Sequence, residues 1–151
     1  MFSNINYRTV DLVVFLCANL FNLLITGIML SRPFGLAQLE NILGIIDILL
    51  IVPLSIAVVL NYLGGRDRWT YVLPVVLIVF LIVELLLDYV LQIPFRETRL
   101  LWPYLVLFYL SAWLMIGYTF LVSKPYGFIT LVTYFISLAA TAYSYSQVGH
   151  G

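Results

Sequence analysis

Asp47 and Glu84 have the most chemistry to offer in this chain, because each stands deep within an apolar stretch of sequence. An acid in such a setting can hold a proton, bind a cation, or share either with a neighbour. Left bare and ionised at the centre of a bilayer it costs about 2.5–3.5 kcal/mol. Asp88 follows Glu84 by one helical turn on the same face, nearer the end of its stretch. Arg96 or Arg99 can reach back toward Asp88 along the apolar surface. The seven Lys and Arg residues all fall between apolar stretches or at their ends, so none stands at the depth of Asp47 or Glu84 to pair with it. The pair is therefore expected as neutral acids, or as acids sharing a proton or cation with amide and hydroxyl neighbours.

Helical spacing supplies those neighbours. At 100° per residue, Asp11, Asn19, Asn22 and Thr26 share an arc of roughly 80°. Asn41, Gly44, Asp47 and Ser55 share one of roughly 120°, and Thr70, Glu84, Asp88 and Gln92 one of roughly 80°. Tyr104, Ser111 and Tyr118 are spaced by seven and nearly collinear, and Thr130, Thr133, Tyr134, Ser137, Thr141 and Ser144 form a hydroxyl stripe. Depth adds a second coincidence. Counted from one end of the helices, Asn22, Asp47, Glu84, Ser111 and Ser137 each lie roughly 14–17 Å in. The expected ligand- or ion-binding set is therefore Asp47, Glu84 and Asp88 with Asn19, Asn22, Ser111 and Ser137. The same polar groups can also serve as hydrogen-bonding glue between helices, worth about 0.6–2 kcal/mol each. Glue accounts readily for Asn19, Asn22 and the hydroxyl stripe, and less readily for two unpaired acids.

Other chemistries lack their residues. His150 is the single histidine, so no heme or metal ligand set is expected, nor any other cofactor. No histidine is placed to activate a serine, and no Gly-rich loop could cradle a phosphate. Two opposed acids with water access could mimic an aspartyl hydrolase, but nothing flanking Asp47 or Glu84 resembles such an enzyme, and no catalytic residue is expected. The net charge is zero and no basic run suits nucleic acid. Cys17, the lone cysteine, permits no disulfide.

The elements that must position these residues follow from composition. The 151 residues are 64% hydrophobic and 9% charged, against about a quarter charged in soluble domains. A water-soluble globule this apolar could not cover its own surface, so a lipid bilayer is the expected solvent. Five stretches are long enough to cross it: about 9–31, 37–63, 69–93, 100–122 and 128–147, separated by short breaks that combine Pro or Gly with charge. The expected fold is an all-α integral membrane protein, a compact bundle of five transmembrane helices with short loops and a single domain. Pro53, in mid-span, should kink the second helix, whereas Pro74 and Pro103 sit in early turns where a missing N–H costs little. Glu40, Asp67 and Glu97 are expected as solvated partners of nearby arginines. Arg8, Arg66, Arg68 and Lys124 fall on the N-terminal side and Arg32, Arg96 and Arg99 on the other, which favours a cytoplasmic N-terminus in a bacterial or archaeal membrane.

Two functions are compatible with this pattern. One is binding or transport of a proton, cation or small cationic solute through the mid-membrane acids. The other is a non-catalytic accessory or assembly subunit of a larger membrane complex, with Ala139, Ala140 and Ser144 giving close helix contact. The expected partners are the bilayer itself and either further copies of the chain or other membrane subunits.

Overall fold

The structure, a computed structural model, describes residues 5–149; His150 lies outside the described residues. The chain is all-helical: α1 (Tyr7–Ser31), α2 (Ala37–Leu49), α3 (Ile51–Leu63), α4 (Trp69–Glu84), α5 (Leu101–Val122) and α6 (Lys124–Val148). With α2 and α3 taken as one span, and α4 with the turn that follows it, five helices are long and apolar enough to cross a membrane. They close into a ring in which each helix packs on the next in sequence and α6 returns against α1. Helix α1 is the pivot, touching α2, α3, α5 and α6.

Polarity runs inside out relative to a water-soluble bundle. Leu16, Val52, Ile56, Val106, Trp113 and Phe135 are exposed, while Asn22, Asp47, Asn61, Ser111, Thr119 and Thr130 are buried. The buried positions keep helical spacing. Gly44, Asp47, Leu50, Leu54, Ala57 and Asn61 form one stripe down α2 and α3, and Leu73, Leu77, Phe80, Leu81 and Glu84 form another down α4. Asp47 and Glu84 thus each occupy a place in a core stripe that an apolar residue would normally fill.

One break follows the reading of the sequence and two helix ends differ from it, each for a local reason. The proline ring at position 53 clashes with the carbonyl four residues earlier and offers it no N–H. The second span accordingly breaks at Leu50, whose amide turns back to the Asp47 carbonyl at 3.0 Å. The third span leaves α geometry at Glu84 and continues as a π-helical turn, Leu85–Val90, ending three residues short of Ile93. Gln92 then takes φ +49°, and Pro94 bars a helical return. Between α5 and α6 only Ser123 is non-helical. Its hydroxyl accepts from the Tyr126 amide at 3.3 Å, and Pro125 falls in the first turn of α6, where no N–H is needed. The fifth helix therefore begins at Lys124, not at Phe128. Gly127 lies against the Phe120 ring with no room for a Cβ, which lets the two helices close so tightly.

Candidate functional site

The seven polar residues expected to form one site separate into three groups. Asn19 and Asn22 bind α6: the Asn19 amide donates to Thr130 Oγ1 at 3.0 Å and receives the Thr133 hydroxyl at 2.9 Å. The Asn22 amide donates to Thr133 Oγ1 at 3.0 Å and to the Thr130 carbonyl at 3.3 Å. These amides are engaged in a clasp that closes the ring. Ser111 and Ser137 are buried but turn their hydroxyls onto their own helices, donating to the carbonyls of Phe108 and Tyr134.

The third group holds the acids. Asp88, on the π turn, accepts two hydrogen bonds from Arg96, each 2.8 Å. Burial opposes the Arg96 charge, but the carboxylate overcomes it and holds the guanidinium above its ordinary value. Asp47 is fully buried on α2, and Glu84 is buried on α4, which packs against it. Among the described residues, neither oxygen of Asp47 nor Oε2 of Glu84 has a hydrogen-bond partner. Packing around Gly44 sets this approach: the Tyr89 hydroxyl of the π turn occupies the space a Cβ would need, bringing the two helices together one turn from the acids.

Glu84 is not sealed in. It lines a cavity of about 340 Å³ between α1, α5 and α6, together with Tyr104, Phe108, Tyr109, Leu138 and Tyr145. The cavity shares Arg32, Arg96, Leu101 and Tyr145 with a wider depression of about 550 Å³ at the end of the bundle. Arg32 and Arg96 reach further in than loop residues would, so basic groups do come near Glu84. Both are already held, Arg32 by Glu40 at 2.8 Å and Arg96 by Asp88. The Glu40 and Asp88 pairings follow the expectation from sequence spacing. Glu84 itself stands about 9 Å from the end of its span rather than the roughly 14 Å expected from the sequence, because the helix stops at Val90.

At the opposite end a second network formed without any signal that spacing alone carries. Arg66 folds back from the loop to grip Asp11 with two hydrogen bonds, 2.6 and 3.1 Å, and Asn61 Oδ1 with a third at 3.0 Å. The Tyr118 hydroxyl donates to the same Asp11 at 2.7 Å, and the guanidinium lies over the Tyr7 ring. Its hydrogen bond to Asp11 raises the Arg66 pKa above its ordinary value. The Asn61 amide completes the network by donating at 3.0 Å to the Thr70 carbonyl, the acceptor that Pro74 cannot serve. Loop, α1, α3 and α5 are thereby tied together at one end, while the acid pair at the other end keeps unsatisfied oxygens beside an open cavity.

No family model, curated protein or solved structure matches this chain.

Proposed function

We propose that the chain is an integral membrane protein that binds and transports a proton, cation or small cationic solute through Asp47 and Glu84. One observation carries the reading: two buried acids on adjacent helices have oxygens with no hydrogen-bond partner among the described residues. Two buried carboxylates on neighbouring helices cannot both ionise at low cost, so the pair retains a proton until a cation replaces it. Charge distribution supports the sign of the ligand. The half of the bundle around the cavity holds Glu40, Asp47, Glu84, Asp88 and Glu97 against Arg32, Arg96 and Arg99. The other half holds Arg8, Arg66, Arg68 and Lys124 against Asp11 and Asp67, an imbalance that supports a cytoplasmic N-terminus.

The test is proton movement in vesicles containing the purified chain and an internal pH-sensitive dye. Wild type dissipates an imposed proton gradient, whereas Asp47→Asn and Glu84→Gln accumulate normally and do not. Wild-type flux in both variants overturns the reading. Co-purification with other membrane proteins, with both variants lost through poor accumulation, assigns the chain instead to the accessory subunits.

A further inference from the structure

The cavity beside Glu84 has a composition that a proton or an inorganic ion does not require. Its wall away from the acid is apolar, with Ile25, Ile28 and Leu138 prominent, and four aromatic side chains line it: Tyr104, Phe108, Tyr109 and Tyr145. Aromatic faces attract cations, most strongly where water is excluded. A volume of about 340 Å³ is within the usual range for sites that enclose small organic molecules. At its edge stands a carboxyl that is 93% buried by its 7% exposure, with Oε2 lacking a hydrogen-bond partner among the described residues. The two guanidinium groups at the mouth are each bound to a carboxylate, which leaves the acid as the charge still to be answered.

We infer that the ligand is a lipophilic organic cation, an ammonium carrying an aryl or branched alkyl body. Its charge is taken by Glu84 and its body lies along Phe108, Tyr109, Tyr145 and Leu138. This inference rests on the functional reading above and names the substrate class for the same acids. Binding is an exchange: the carboxyl O–H of the acid pair breaks, the proton leaves to water, and the carboxylate pairs with the incoming cation. No net charge enters the bundle. The cavity opens at the end remote from the Asp11–Arg66 network, so the cation enters from the side bearing Arg32 and Arg96.

Benzyltrimethylammonium is a suitable probe, with tetramethylammonium, potassium and 3-phenylpropionate as controls. Binding to the purified chain is followed by calorimetry, and proton release by an indicator dye in weakly buffered solution. The aryl cation is expected to bind and release a proton, with tetramethylammonium weaker by about tenfold or more. Glu84→Gln removes both signals. Ala142→Trp, which narrows the cavity from a lining position, removes binding of the aryl cation. Persistence of binding in both variants overturns the inference, since the probe is then held elsewhere on the apolar surface. Binding of phenylpropionate in place of the cation overturns it as well. Absence of aryl-cation binding with acid-dependent proton flux preserved defeats this inference alone; loss of both defeats the functional reading with it.

Discussion

Asp47 and Glu84 each stand where their helix leaves regular α geometry. Asp47 is three residues before the Leu50 break, and Glu84 is the last α-helical residue before the π turn. Breaks of this kind free backbone groups and re-aim side chains, and π turns recur at functional sites. The Pro53 ring and the Tyr89–Gly44 contact are therefore part of what sets the pair, although neither touches a carboxyl oxygen.

Replacing Asp47 by leucine should make the chain more stable while ending its function. The substitution removes a fully buried acid that has no hydrogen-bond partner among the described residues and restores the apolar stripe of α2 and α3. A gain of about 1–3 kcal/mol is expected, read as a higher melting temperature in detergent alongside lost proton flux. If the acid were packing glue, the same change would lower the melting temperature.

Pro53→Ala returns the missing N–H and should straighten the second span through Leu50. Stability is expected to stay level or rise by about 1 kcal/mol, while binding of the aryl cation weakens as Asp47 rotates away from Glu84. Unchanged proton release on binding would show that the break does not set the pair.

The Asp11–Arg66 network should behave in the opposite way, because its members are satisfied. Arg66→Ala or Asp11→Asn leaves a half-buried partner unanswered, and each is expected to cost about 1–3 kcal/mol. The double change Asp11→Leu with Arg66→Met should recover much of that loss, a coupling that a double-mutant cycle measures. Alkali will not separate the pair. With the Arg66 pKa raised above its already high ordinary value, its contribution is complete below that value and falls only as pH rises through the raised one. Stability that falls between pH 8 and 10 in wild type, but not in the double variant, would contradict this.

Asn61→Ala should cost about 1–3 kcal/mol by exposing the Thr70 carbonyl to an apolar interior. Pro74→Ala supplies the N–H that this carbonyl lacks, so Asn61→Ala should cost less in a Pro74→Ala background. Equal costs in the two backgrounds would mean that the amide acts only through Arg66.

The extent to which this structure was legible in the sequence differs by level. Hydrophobic runs marked the five helices, since a stretch of about 20 apolar residues has few alternatives, and one polar face per helix was visible from 100° spacing. Helix ends were harder. Pro125 and Gly127 read as a loop, whereas one opens a helix and the other permits close packing against Phe120. The site was only partly visible because spacing assigns a side chain to a face but not to a neighbour. Asn22 and Asp47 read as one depth, yet the amide is engaged by Thr133 while the acid has no hydrogen-bond partner among the described residues. The fold of Arg66 back onto Asp11, 55 residues away, depends on loop conformation that no periodicity encodes.

The clasp between α1 and α6 joins residues 111 positions apart, and this bears on how the bundle is made. Asn19 and Asn22 emerge from the ribosome first, and the hydroxyls that answer them emerge with the last helix. That helix is the least apolar of the five and is tied to α5 by a single residue. The last two helices should therefore enter the bilayer as a hairpin, with α1 waiting beside them for its partners. Until they arrive, two amides stay exposed to lipid, a mark by which membrane quality control can tell an unfinished chain from a finished one.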